Sequence, residues 1–366
     1  MLIIGNPENR RVTLFQQALQ DLGQAPASVI SWLDILQNQV DVNSLSQFSS
    51  IRIESPGENF EVEKLILKMG GLESASSLIE EKGRIHFPGI WYSGFQRLLN
   101  TIAAAAGDVI WFNHPHDIIT MFDKPLTKKI NAKHSLATLP AFNAYDELLT
   151  YIESQNCSRF FIKLNYSSSA SGVMAFEYHR KTGKAQAHTT IELVRNGSDC
   201  YFYNSLKLKK YSHHNDLADI INFLFQQGAY IEPWIAKARH DEGVFDLRVL
   251  AINNKRHHSI ARVSKTPITN LHLGNQRCAI EDLKLSSIQW QQIDQLVANV
   301  MMNFSNSLYS GLDILLPRDD NKLPLLLEAN AFGDLFPGLL YQNQNTYQAE
   351  LTALFQQHPQ LLRKVA

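Results

Sequence analysis

Asp313, Glu328 and Asn330 stand in two apolar runs, Gly311-Leu-Asp-Ile-Leu-Leu-Pro317 and Leu323-Pro-Leu-Leu-Leu-Glu-Ala-Asn-Ala331, separated by the polar stretch Arg-Asp-Asp-Asn-Lys. Two apolar runs joined by a polar turn make an antiparallel hairpin. A turn centred on Asp320-Asn321 sets Asp313 opposite Glu328, and Asn330, two residues further, shares their face. Two carboxylates and an amide oxygen on an otherwise apolar face are costly unless a cation lies between them. A hard, oxygen-seeking ion fits that demand, Mg²⁺ first and Mn²⁺ as its substitute. The alternative is a wet rim with accidental acids, which the flanking Leu312, Ile314, Leu326 and Leu327 argue against.

Three further clusters carry charge in apolar surroundings. Lys163 interrupts the strand-like Phe161-Ile-Lys-Leu164, and a lysine there must neutralise an anion or be expelled. The small-residue loop that follows, with Ser168, Ser169, Ser171 and Gly172, allows close backbone approach and offers a row of N–H donors of the kind a polyphosphate needs. It is not a Walker loop, and a serine-rich surface hairpin reads equally well. Tyr230-Ile-Glu232-Pro233-Trp234-Ile235 is an apolar strand end; proline lacks an N–H, so an adenine docked on this backbone would take its donor from Ile235. In Phe245-Asp-Leu-Arg-Val-Leu-Ala-Ile252, Asp246 and Arg248 share a face. A three-residue loop at 253–255 would put Arg262 across from Asp246, whereas a two-residue turn would put it across from Phe245. The loop Thr269-Asn270-Leu-His-Leu-Gly-Asn275 beside these cations suits anion or substrate capture, the alternative being a salt-bridged sheet. The adjacent pairs His213-His214 and His257-His258 point to opposite faces of a strand and chelate poorly.

The elements that must position these groups alternate along the chain. Leu2 to Ile4 reads as a strand, Arg11 to Leu22 as a helix and Ser28 to Trp32 as a second strand, the opening of an α/β layer. Residues 40–110 are weakly patterned apart from a helix over Gln96 to Ala106. A helical stretch from Asp117 to His134 and another from Asp146 to Gln155 precede strands at 159–164 and 173–178, a hairpin over 188–212 turning at Asn196-Gly197, and a helix from Asn215 to Gln226. The strand Ala229 to Ile235, two hairpins and a helix from Ser287 to Leu308 complete the pattern. The chain has 366 residues, 45% of them hydrophobic and 19% charged, which is enough apolar surface for two or three folded units. With 34 Lys and Arg against 35 Asp and Glu it has no global basic field for nucleic acid. No stretch reaches the roughly 18 apolar residues of a membrane span, and no signal segment stands at the start, so a cytoplasmic location is expected. Cys157, Cys200 and Cys278 are widely spaced and read as inert thiols.

Taken in order, these pieces resemble the ATP-grasp superfamily over roughly residues 115–340. Asp123-Lys124 with Leu139-Pro140 is similar to its opening helix, whose lysine reaches phosphate, and Lys163 to its second phosphate lysine. The loop 167–172 is similar to its mobile phosphate loop, Glu232 to Ile235 to its adenine hinge, and Asp313, Glu328 and Asn330 to its Mg²⁺ ligands. Arg262 followed by Asn270-Leu-His-Leu-Gly resembles the glutathione synthetase and ribosomal-protein glutamate ligase branch, and the opening Ile4-Gly-Asn-Pro-Glu-Asn-Arg-Arg11 a group of uncharacterised bacterial ATP-grasp proteins. The loop is richer in serine than is usual there, Pro233 interrupts the hinge, and Asn275 stands where a glycine is expected. The resemblance implies an α/β (α+β lobes) fold of ATP-grasp architecture: an N-terminal α/β domain over 1–114, a central lobe over 115–232 and a C-terminal lobe over 233–366, the two lobes clamping ATP. It implies a carboxylate-amine ligase using ATP and Mg²⁺ through an acyl phosphate, with Arg248, Arg262 and Asn270 facing the reacting groups. Its substrates would be a small-molecule or peptide carboxylate and an amine, with neither nucleic acid nor membrane as partner and homo-oligomerisation left open. A small-molecule kinase acting on a hydroxyl and a non-catalytic nucleotide-binding partner protein are the alternatives.

Overall fold

The computed structural model describes residues 1–155, 157–168 and 170–362. The first sheet contains β1 (Leu2–Gly5), β2 (Ser28–Ser31), β3 (Ser50–Ile53) and β4 (Ile110–Trp111). These strands are parallel in the order β2-β1-β3-β4, as the strand-helix-strand opening predicts. The helix expected at Gln96 begins earlier and spans Pro88–Ala106. Its first half contains Gly89 and Gly94, which weaken the helical pattern in sequence, but Gly94 lies against the helix Phe60–Met69 so closely that a Cβ would sit 1.9 Å from the Ile66 carbonyl oxygen. Here glycine marks a helix crossing rather than a break.

The second sheet is antiparallel: β5 (Arg159–Leu164), β6 (Val173–His179), β7 (Lys184–Asn196), β8 (Asp199–Tyr211) and β9 (Ala229–Pro233), in the order β8-β7-β6-β5-β9. One face packs on the helices Tyr145–Ser154 and His214–Gln226, giving this sheet a core of its own around Phe160, Ile162, Phe176, Leu217 and Leu224. Ile85 reaches into that core from the N-terminal region because residues 83–85 pair with β8. The Ile85 N–H donates to the Phe202 carbonyl at 3.0 Å and the Asn204 N–H to the Gly83 carbonyl at 2.6 Å.

The third sheet contains β10 (Arg239–His240), β11 (Gly243–Ile252), β12 (Lys255–Ser264), β13 (Gln276–Cys278), β14 (Tyr309–Leu315) and β15 (Leu325–Asn330). Its order is β13-β12-β11-β14-β15, with β10 on β11, all antiparallel. This sheet and the first share their cores. One runs from Leu2, Ile4 and Phe95 to Leu247 and Leu312, the other from Ile3 and Phe15 to Leu250, Tyr309 and Leu351. Inside the second lies Arg52, fully buried, its guanidinium 4.6 to 5.2 Å from the rings of Phe15, Phe112, Tyr309 and Tyr347. It pairs with Glu54 at 2.6 Å and with Glu350 at 2.7 Å. Among the described residues no helix is long and apolar enough to cross a membrane.

Three expected elements differ. The stretch Asp117 to His134 is two helices, Pro115–Phe122 and Lys124–Ile130, broken at Asp123, because Pro125 has no N–H to continue the ladder and Asp123 caps the second helix by accepting from the Leu126 N–H at 2.9 Å. The helix expected to reach Leu308 stops at Met302. The β11–β12 turn has two residues, Asn253 and Asn254, both with left-handed φ, in place of the expected three. A bulge between Val249 and Ala251 restores the missing residue, so Asp246 still faces Arg262.

Candidate nucleotide and metal site

A cleft of about 770 Å³, open to solvent, lies between the second and third sheets. From the second sheet come Lys163 of β5 and Glu232 of β9, which the register Phe161 opposite Glu232 places on neighbouring strands. The Lys163 ammonium donates to Glu232 Oε1 at 2.5 Å, and Lys128 Nζ stands 2.6 Å from Oε2. Glu232 is buried; burial would raise its carboxyl, but Lys163 and Lys128 outweigh that and hold it at about 2. Glu232 is thus a permanent anion that gathers two lysines. Lys128 carried no site expectation, although its position four residues after Lys124 on a helix puts both on one side. Pro233 and Ile235 line the cleft; Trp234 does not, its N–H donating to the Arg159 carbonyl and its ring lying 5.5 Å from Phe161.

The small-residue loop closes the cleft on one side. Ser167 and Ala170 line it, whereas Ser168, Ser171 and Gly172 do not, and Ser169 lies outside the described residues. The Ser171 N–H donates to the Ser168 carbonyl at 2.9 Å. Gly172 has φ +67°, and a Cβ there would lie 2.4 Å from Leu164, so this turn requires glycine. Lys124 donates to the Ser167 carbonyl and stands 3.5 Å from Glu328 Oε1, tying the loop to the opposite sheet.

On the third sheet Asp313 lies across from Glu328 and Gly311 across from Asn330, as the hairpin reading requires; a bulge between Asp313 and Ile314 takes up the difference toward the turn. Both oxygens of Asp313 meet arginines, Oδ1 at 2.5 Å from Arg248 and Oδ2 at 2.9 Å from Arg262. Arg262 donates through Nε to Asp246 at 2.8 Å, and Asp246 also accepts from Lys237 at 3.1 Å and from Thr269. Burial pushes Asp246 up, but Arg262 and Lys237 hold it well below the usual carboxylate range; burial lowers Lys237. Thr269 opens the loop expected to capture an anion or substrate, whereas Lys237 carried no site expectation, since a lysine four residues past a proline gives no pattern. Asn270 lines the cleft and caps the short helical turn Leu271–Leu273, accepting from the His272 N–H at 2.9 Å. Asn275 Nδ2 donates to the carbonyls of Ile268 and Asn270, both at 2.8 Å, fastening the loop by hydrogen bonds where a glycine would have supplied none.

The oxygens fit a hard cation. Asn330 donates its amide N–H to the Gly311 carbonyl at 3.0 Å, which leaves its own oxygen free for a metal, and Glu328 borders the cleft. Among the described residues no three His, Cys, Asp or Glu side chains gather as a metal cage. Glu328 and Asn330 would offer oxygens to a magnesium ion directly, and Asp313 would join them by giving up a contact with Arg248 or Arg262, which hold both its oxygens.

The sequence matches no family model and no curated protein. Solved structures do match over nearly the whole chain. The ATP-grasp ligase PsnB complexed with a minimal precursor is 13% identical with a TM-score of 0.56, covering 97% of this chain and 98% of that one. D-cycloserine synthetase DcsG is 12% identical with a TM-score of 0.56, covering 97% and 99%. D-alanine–D-alanine ligase from Bacillus anthracis complexed with ATP is 10% identical with a TM-score of 0.51, covering 97% and 95%. At these identities the likeness is one of fold, and the fold is that of the ATP-grasp proteins.

Proposed function

We propose that this ATP-grasp fold acts as an ATP- and magnesium-dependent ligase that joins a carboxylate to an amine through an acyl phosphate, with release of ADP and phosphate. The observation that carries the reading is that one cleft gathers Lys124, Lys163 and Glu232 on one side and Asp313, Glu328 and Arg262 on the other. Lys124 and Lys163 would hold ATP phosphates under the loop at 167–172, Lys128 would keep Glu232 in place behind them, and the Ile235 N–H would meet the adenine. Magnesium held by Asp313, Glu328 and Asn330 would neutralise charge on the phosphate oxygens. The γ-phosphoryl group passes to a substrate carboxylate oxygen as its bond to ADP breaks. The amine then attacks the acyl carbon and phosphate leaves. Arg248, Arg262 and the Asn270 loop would donate to the oxygens that gain charge, where one donor contributes about 3 to 4 kcal/mol.

The division 1–114, 115–232 and 233–366, and kinship with the glutathione synthetase and ribosomal-protein glutamate ligase branch, belong to the same proposal. The first is supported by the three sheets and the second by the sequence of the Arg262 and Asn270 segment. One of the substrates is a small molecule or a peptide; PsnB is complexed with a precursor and DcsG is a D-cycloserine synthetase. Screening candidate acids with hydroxylamine as trap tests the reading: ATP turnover giving a hydroxamate is expected, with Glu328→Ala at least about 1000-fold slower and its far-UV spectrum unchanged. A phosphorylated alcohol in place of a hydroxamate, or wild-type turnover in Glu328→Ala, overturns it.

A further inference from the structure

Beyond Asp313 the charged network runs on toward the N-terminal sheet, through groups that do not line the cleft. The strand order β2-β1-β3-β4 reverses between β1 and β3, and in a parallel sheet the crevice outside the carboxyl ends of the strands at such a point is where ligands bind. At that end stand Glu54, next after β3, and Arg11, in the first turn of the helix Arg10–Asp21. Arg11 Nη1 donates to the Phe332 carbonyl at 2.8 Å and lies 3.9 Å from Glu54 Oε2, a buried oxygen without a hydrogen bond. Phe332 belongs to the loop that follows Asn330. Two residues on, Asp334 accepts from Arg248 Nε at 3.1 Å, and Arg248 in turn meets Asp313. One guanidinium thus separates Asp334 from the metal residues. The side chains of Arg11, Asp334 and Arg248 keep 22%, 34% and 13% of their surface, whereas Glu54 keeps 2%, so a ligand meets the first three.

We infer that Arg11, Asp334 and Arg248 form a head-group subsite for a free α-amino acid, its carboxylate on Arg11 and its ammonium on Asp334; assigning that amino acid as one of the two substrates rests on the ligase reading. The argument is charge matching. Arg11 already faces Glu54, and Arg248 faces Asp334 and Asp313. A lone anion or a lone cation meets both signs and gains little. A zwitterion, with its charges a few ångströms apart, pairs with both. Burial pushes Asp334 up, but Arg248 and Arg11 hold it below the usual carboxylate range, so it stays an anion able to accept an ammonium. A head group stripped of one charge leaves a partner unpaired, which makes discrimination steep.

Calorimetry on the full chain, with and without Mg·ADP, tests this against the twenty protein amino acids and their D enantiomers. At least one should bind, its N-acetyl and amide derivatives should bind at least about 10-fold more weakly, and Arg11→Gln and Asp334→Asn should each cost a similar factor while ADP affinity holds. Binding of no free amino acid to either form overturns the subsite, as does equal binding of the N-acetyl derivative or wild-type affinity in Arg11→Gln. Should Arg11→Gln fail to fold, Asp334→Asn and the derivative series decide. Amino-acid binding in a protein that does not bind Mg·ADP sinks the ligase reading and leaves the subsite standing.

Discussion

The first and third sheets are fastened differently from the second. The first and third sheets share two hydrophobic cores and lock further through Arg52, Glu54 and Glu350, so they form one body. The second sheet keeps its core to itself and meets that body at points that include the strap at 83–85, the stack of Tyr92 on Tyr166 at 4.0 Å, Lys124 bridging Ser167 and Glu328, and Lys128 on Glu232. A lobe with a private core can swing over a shared base, and the cleft lies at the seam. Rigidity is invested where the acids and arginines must hold their register, and freedom on the other side of the cleft.

The sharpest way to break that contrast is Arg52→Met. It strands two buried carboxylates and should cost about 3 to 5 kcal/mol in chemical denaturation. Hydrogen exchange should loosen the first and third sheets while β5 and β6 stay protected; uniform loosening would mean that the two bodies are not separately held. Lys163→Ala acts at the seam instead. It should weaken ADP about 100-fold by calorimetry, roughly 2.7 kcal/mol, and change the melting temperature little because Lys128 still faces Glu232. An unchanged ADP affinity would remove Lys163 from the site.

The third test is pH. Burial pushes the Glu350 carboxyl up to about 7, with Arg52 opposing. Between the ordinary carboxylate range and pH 7 the folded protein therefore holds a proton that the unfolded chain has released. Stability falls as pH rises through that window and levels off above it. The wild type should lose about 2 kcal/mol relative to Glu350→Gln between pH 5 and 7.5; parallel profiles would clear Glu350. The smallest effect belongs to Gly83→Ala. Gly83 has φ +81°, and a Cβ would lie 2.8 Å from the Asn204 carbonyl, so the strap should open at a cost of about 1 kcal/mol, seen as faster exchange at residues 202–204 with little global change.

The hairpin of Asp313 and Glu328 was legible because an apolar run with acids at period two leaves few registers, and the bulge at Asp313 falls beyond the pairs 313–328 and 311–330. Arg262 was legible for an incomplete reason. Neither the two-residue Asn253-Asn254 turn nor the bulge at 249–251 leaves a mark in sequence, and their effects cancel. Lys128 was hidden because a lysine on a helix reads as a solvated face until a buried partner such as Glu232, a hundred residues away, is known. Arg52 was hidden likewise: its cage draws rings from residues 15, 112, 309 and 347, contacts that no local pattern encodes. The N-terminal half of the helix Pro88–Ala106 was lost to its glycines, which serve a crossing visible only in three dimensions.

The strand β8 ends its sheet, and an unpaired outer strand is a template on which copies of a protein stack into insoluble material. Residues 83–85 cover Phe202 to Asn204 from the outside, and past that cover the strand carries Lys207 and Lys210, charges that disfavour a second copy, while Lys209 pairs with Glu192 at 2.7 Å. Solubility at high concentration is therefore guarded by a segment nearly 120 residues upstream of the strand it shields, and its loss would show first as self-association rather than as unfolding.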